Sequence, residues 1–161
     1  MKEKGKFGSS KARKNEKIIL EHTSINPNAS PHVGRARNAI IGDALARLLR
    51  FIGHKVEVHY FVNDIGKQIA MLVLAARNKK NLKFNDLLKI YMGIAAKVES
   101  NPELEKEILG MLNKLEGGDK KIINEIKKIV GISVKGQVGI LSELGIKYDV
   151  FDYESGYLWS R

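Results

Sequence analysis

A change of hydrophobic period between residues 18 and 62 constrains this chain more than any other feature. Ile18-Ile19-Leu20 is a short, continuous apolar run of the buried-strand kind. From Arg35 the period becomes helical. Ile40, Ile41, Ala44, Leu45, Leu48, Leu49 and Ile52 fall on one apolar face, and Gly53 supplies the stop. Val56-Glu57-Val58-His59-Tyr60-Phe61-Val62 then reads as a second strand. Strand, helix and strand over this length make a βαβ unit, whose two strands are parallel and whose crossover is right-handed. The expected fold class is therefore α/β.

The remainder is mainly helical. Asn63-Asp64-Ile65-Gly66 reads as a strand-ending turn and helix cap, followed by a helix over about Lys67–Arg77. Helices are expected near Phe84–Ser100, Pro102–Leu115 and Asp119–Val130. Asn101-Pro102 and Gly117-Gly118-Asp119 mark the breaks. A shorter helix, about Val134–Leu144, is expected after Gly131, and Tyr148-Asp149-Val150-Phe151 looks like a late strand. Tyr153, Tyr157 and Trp159 read as core aromatics. Residues 1–17 carry seven basic side chains against Glu3 and Glu16, which reads as a basic flexible arm. The expected division is this arm, a nucleotide-binding βαβ unit over 18–77, and a helical insertion returning to the sheet over 78–161.

Composition narrows the function classes. Cysteine is absent, which excludes disulfides and thiolate metal sites and fits a reducing cytoplasm. His22, His54 and His59 have no ligand spacing, so no metal site is expected. No apolar run approaches membrane-spanning length, so no membrane partner is expected. The net charge of +10 suits a polyanionic partner such as nucleic acid, or a Lys-rich solvated surface.

In a parallel sheet, ligands bind at the C-terminal ends of the strands. The segment from Glu21 to Arg35 occupies that place. It offers a carboxylate (Glu21), a hydroxyl (Ser24), an amide (Asn26), an imidazole (His32), a glycine (Gly34) and a guanidinium (Arg35). A helix N-terminus favours an anion, His32 can hydrogen-bond or carry charge beside a phosphate, and Gly34 admits close backbone approach. A carboxylate and an amide nearby suit a polar, cationic group. These residues suggest a nucleotide beside a polar substrate, while each also has an ordinary reading as a turn former or cap.

Glu21-His22-Thr23-Ser24-Ile25-Asn26-Pro27 with Pro31-His32-Val33-Gly34-Arg35-Ala36-Arg37-Asn38-Ala39-Ile40-Ile41-Gly42-Asp43 resembles the first signature region of class I arginyl-tRNA synthetases of the archaeal type. The resemblance continues through Leu48-Leu49-Arg50-Phe51-Ile52-Gly53, Val62-Asn63-Asp64-Ile65-Gly66-Lys67-Gln68, Asn101-Pro102-Glu103-Leu104-Glu105-Lys106-Glu107 and Lys147-Tyr148-Asp149-Val150-Phe151-Asp152. It covers nearly the whole chain. It implies the first half of a class I synthetase Rossmann-like (HUP) nucleotide-binding fold with part of the helical connective insertion.

The activity implied is ATP-dependent activation of L-arginine to arginyl adenylate and transfer to tRNA(Arg), with Mg2+ accompanying ATP. By the same resemblance Ser24, His32, Gly34 and Arg35 would meet ATP, and Glu21 and Asn26 would meet arginine. His32, Arg35 and an upstream lysine would serve catalysis by stabilising charge moving onto pyrophosphate. Lys17 is the best-placed lysine, with Lys14 next. Two departures stand out. Arg35 occupies the place of the signature's final His, and the chain holds only part of a synthetase. A second polypeptide carrying the missing half is therefore a possible partner, and an open strand edge and apolar helix faces point to pairing or aggregation. A truncated paralogue that binds ATP or tRNA without charging it is the alternative, and a generic basic RNA-binding α/β protein is a further one.

Overall fold

The computed structural model describes residues 4–10, 16–28 and 30–158; Lys14 and Trp159 lie outside them. It contains β1 (Lys17–Ile25), α1 (Val33–Phe51), β2 (Lys55–Val62), α2 (Lys67–Ala76), α3 (Phe84–Val98), α4 (Pro102–Glu116), α5 (Lys120–Glu143), β3 (Val150–Tyr153) and α6 (Glu154–Leu158). The strands form one parallel sheet in the order β1-β2-β3, so the βαβ expectation holds. Within the expected arm, Lys4–Lys6 form one 3-10 turn, and the Ser10 N–H donates to the Phe51 carbonyl at the end of α1.

β1 is much longer than its apolar run. Eight of its nine residues pair with β2, beginning at Lys17↔Lys55, because the backbone ladder recruits polar residues as readily as apolar ones. The register shifts between Glu21, opposite His59, and Thr23, opposite Tyr60. His22 is thus the extra residue of a bulge, and a single inserted residue reverses which face every later side chain takes. Thr23 and Ile25 turn into the core with Tyr60 and Val62, while Ser24 joins Glu21 on the opposite, open face.

The core face is covered by α1 and by the end of α5. The α1 surface against the sheet is the small one, Ala39, Gly42 and Ala46. A Cβ on Gly42 would lie 2.1 Å from the His22 Cβ, so the side chain of the bulge residue packs directly on the helix backbone. This corrects the expected burial of the large apolar stripe: Ile40, Ile41, Leu45 and Leu48 are exposed, Ile41 at 61%. Close approach to the sheet demands small residues and rotates the large ones outward.

α2, α3, α4 and α5 pack on one another above the strand ends, burying Ile69, Leu72, Leu87, Ile108, Leu115 and Ile126. α5 is one helix of 24 residues, capped by Asp119 accepting from the Lys121 and Ile122 N–H groups. The break expected at Gly131 is absent, since apolar residues before and after it share one buried stripe. Gly136 meets Phe84 of α3, where a Cβ would fall 2.2 Å from the ring.

β3 begins at a clasp. Asp149 Oδ2 accepts from the Val58 N–H at 2.8 Å and from Arg50 at 3.0 Å, and the Asp149 N–H donates to the Val58 carbonyl at 2.8 Å. Arg47 pairs with Asp43 and donates to the Gly145 carbonyl, so the Arg47 and Arg50 stripe is an ion-paired face. On the open face His59 bridges strands, its Nδ1 2.5 Å from Asp152 and its Nε2 3.0 Å from Glu57. Glu57 also pairs with Lys17 at 2.9 Å. Hydrogen bonds to Glu57 and Asp152 raise the His59 pKa, and His59 with Lys17 lowers that of Glu57.

The packing and the charge generate three predictions. Gly42→Ala should cost about 1–3 kcal/mol, because His22 cannot retreat from a new Cβ. Gly131→Ala, which meets nothing within 4 Å in a helix interior, should add about 0.5–1 kcal/mol in denaturant unfolding. A raised folded-state pKa means that the His59 contribution is complete below its unfolded value and is lost as pH rises through the folded one. The Tm difference between the wild type and His59→Gln should therefore be largest at mildly acidic pH and shrink toward pH 8.5. A difference that does not vary with pH would refute the bridge.

Candidate active site at the strand ends

Parallel pairing brings the C-terminal ends of β1, β2 and β3 to one side of the sheet, and three loops converge there. Ser24 Oγ donates to Asn63 Oδ1 at 2.9 Å, joining β1 to the loop after β2. Asn26 Nδ2 donates to Gln68 Oε1 at 2.7 Å, and Asn28 Nδ2 reaches the same oxygen at 3.1 Å. Pro27 is buried beneath this turn. Polar side chains of the signature segments thus pair across the rim in two groups, Asn63 with Ser24 and Gln68 with Asn26.

His32 is the N-cap of α1, with φ −78° and ψ 166°, and its side chain makes no capping bond. Its carbonyl accepts from the Arg35 and Ala36 N–H groups at 2.9 and 3.0 Å. The first turn carries no acidic residue, so the positive end of the dipole is reinforced by Arg35. A Cβ on Gly34 would lie 3.2 Å from the His32 ring, so glycine leaves the imidazole room beside the helix start. His32, Gly34 and Arg35 are all exposed.

Glu21 sits on the open face two ladder steps below Ser24, as His59 does below Phe61, which is roughly 7 Å along the strand. The bulge produces this proximity. Lys17 is not brought to the rim. It lies six ladder steps below Ser24, roughly 20 Å away at the opposite sheet end, engaged with Glu57. The length of β1 is the reason: a lysine just upstream of the apolar run starts the strand rather than flanking its end.

Asp64 is not the cap of α2; Gly66 occupies that position with φ +107°. The Asp64 carboxylate, 2% exposed, instead accepts from the Ser155 N–H at 2.8 Å and Oγ at 2.6 Å, tying the β2 loop to the start of α6. A cleft of about 440 Å³ opens beside them, lined by Lys127, Val130, Tyr153 and Gly156. Burial raises the Tyr153 pKa. Below the rim, Tyr148 donates to or accepts from Thr23 Oγ1 at 2.8 Å and stacks near His22 and Tyr60. Burial pushes its phenol up to about 12 and lowers the pKa of His22. Among the described residues no group of three or more His, Asp or Glu could hold a metal, and no helix is long and apolar enough to cross a membrane.

A parallel sheet with a polar rim at its strand ends and an uncapped, basic helix start beside it defines an α/β domain of the class that takes an anionic ligand at its strand ends. The comparisons with known proteins carry this further. The family described as tRNA synthetases class I (R), catalytic domain, matches residues 1–157. The chain is 40% identical to the arginine–tRNA ligase of Methanosarcina barkeri over 99% of its own length and 28% of that protein. It is 41% identical to that of Methanocaldococcus jannaschii over 91% of its length and 27% of the relative. The arginyl-tRNA synthetase of Thermus thermophilus superposes with a TM-score of 0.71 at 29% identity, over 91% of this chain and 25% of that one. The chain belongs to the class I arginyl-tRNA synthetase catalytic-domain family, and spans little more than a quarter of the curated relatives it matches.

The Asp64–Ser155 link generates a prediction. Asp64→Ala leaves the Ser155 N–H buried without its acceptor and should cost about 2–3 kcal/mol. Hydrogen exchange should show the Ser155 amide opening faster than amides of the helical cluster.

Proposed function

We propose that this chain supplies the first half of an arginine–tRNA ligase site, which activates L-arginine with ATP to arginyl adenylate and passes it to tRNA(Arg). The observation that carries the reading is the convergence of Ser24, Asn26, Asn63 and Gln68 on one rim beside the uncapped start of α1. The family match supports the same activity.

In this reading ATP lies along the start of α1. The first-turn N–H groups and the dipole receive phosphate, with His32 and Arg35 as donors to charge developing on pyrophosphate. Gly34 keeps the backbone approachable, and Ser24 borders the nucleotide. Arg35 keeps its charge and can grip two phosphate oxygens at once, which an imidazole cannot. Mg2+ accompanies ATP, bound by the phosphates. Arginine is held by Asn26 at the rim and by Glu21 on the open face, where a carboxylate meets a guanidinium extended down the strand. Lys17 has no catalytic part in this scheme. Residues 18–77 carry the nucleotide and residues 78–161 frame it. The reading carries with it a cytoplasmic setting, where ATP, arginine and tRNA meet.

Further sequence, on this polypeptide or on a second one, would complete the site. The free edge of β1, the uncovered sheet face and the exposed stripe Ile40, Ile41, Leu45 and Leu48 are the surfaces it would cover. The test is arginine-dependent exchange of pyrophosphate into ATP, by this chain with and without a polypeptide carrying the rest of the Methanosarcina barkeri relative. Exchange is expected only from the pair. His32→Ala should lower its kcat about 10²–10³-fold with the pair still assembled. An inactive pair would overturn the ligase reading; exchange by this chain alone would overturn the need for a partner.

A further inference from the structure

We propose that Gln137 is a positioning residue for amino-acid recognition: from the middle of α5 it sets the orientation of Asn26 in the turn between β1 and α1. The proposal rests on the reading of Asn26 as an arginine ligand.

Gln137 is fully buried. Its neighbours on the inward stripe of α5 are largely apolar, Ile126, Ile129, Val130, Val134 and Leu141. A primary amide in such a stripe is costly to bury unless its polar atoms are satisfied. Here they are. Gln137 Oε1 accepts from Tyr60 Oη at 2.7 Å, and Gln137 Nε2 donates to the Asn26 carbonyl at 3.0 Å. The orientation of the amide follows from its partners. Burial raises the Tyr60 pKa, so the phenol keeps its proton and faces the amide oxygen. The Asn26 carbonyl can only accept, so it takes the amide nitrogen.

The Asn26 carbonyl also receives the Asn28 N–H at 2.8 Å, while the Asn26 side chain donates to Gln68. Asn26 is therefore fixed at its backbone by α5 and at its side chain by α2. Its side-chain oxygen is the atom that would accept from a cationic ligand group. α2 leaves the strand ends and α5 returns to them, so the geometry of Asn26 depends on both helices being seated. A buried leucine could fill the Gln137 volume, but it would leave Tyr60 Oη and the Asn26 carbonyl each short of a bond.

Two readouts separate positioning from plain stability. In this chain, ¹⁵N NMR of the side-chain amides should show the Asn26 and Gln68 signals shifted in Gln137→Leu and, in the same direction but less, in Tyr60→Phe, which opens little space. Leu141→Ala, one turn further along α5 and equally buried, should lower Tm without moving those signals. In the pyrophosphate-exchange assay of the reconstituted pair, Gln137→Leu should raise the arginine KM about tenfold, the worth of one hydrogen bond to a ligand residue, and leave the ATP KM within about twofold. Unmoved Asn26 signals in both Gln137→Leu and Tyr60→Phe would overturn the proposal. So would an arginine KM that rises as much in Leu141→Ala as in Gln137→Leu. A wild-type pair without exchange overturns the ligase reading instead, and the amide signals then decide the position of Asn26 alone.

Discussion

Because β1 and β2 pair in parallel, the chain has to travel the length of the sheet between them, and α1 is that return path. The same pairing sends all three strand ends to one side, where the loops carrying Asn26, Asn63 and Ser155 meet. The extra residue at His22 then decides what those strands present. Were His22 paired in regular alternation instead of bulged, Thr23 would face away from Tyr148 and Ser24 would sit beneath α1. With it, the lower half of β1 shows Glu21 outward and the upper half shows Ser24 outward, two ladder steps apart. Gly42 completes the device, since only a residue without a Cβ lets α1 lie across the bulge.

The parts of this arrangement legible in the sequence are those with a period. Val56–Val62, the helical repeat before it and the breaks at Asn101-Pro102 and Gly117-Gly118 all appear where the pattern places them. Hydrogen-bond ladders have no such signature, which is why β1 reaches back to Lys17 through residues no apolar run marks. The stripe Ile40, Ile41, Leu45 and Leu48 shows a different limit. Hydrophobic residues announce that a face needs covering, but not by which neighbour. The face nearest the sheet is chosen by how closely two backbones approach, and Ala39, Gly42 and Ala46 allow the closest approach.

The candidate site was legible mainly as a signature. His32, Gly34, Ser24 and Asn26 could be picked out as a set, and the strand ends do gather Ser24, Asn26 and the helix start. What joins them was not visible. Asn63 and Gln68 looked like a turn and a helix start, Asp64 like a cap, and Gln137, inside a shorter expected helix, drew no reading at all. Their partners are 39, 42, 91 and 111 positions away in the chain, distances at which local pattern carries no information.

The continuity of α5 has a consequence for which lengths of chain can change. Successive residues of a helix are turned by about 100° and advanced by about 1.5 Å. Asp119 fixes the start of α5 against the α4 loop, and Gln137 must face Asn26 eighteen positions later. Eighteen residues make about five whole turns, so the cap and the amide stand on nearly the same line of the helix. One residue gained or lost between them would swing Gln137 off its partners and carry Phe84 away from Gly136. The links Arg77–Lys83 and Glu99–Asn101 transmit no such phase. Variation in length between related chains should collect in those links, while the span from Asp119 to Gln137 keeps its count.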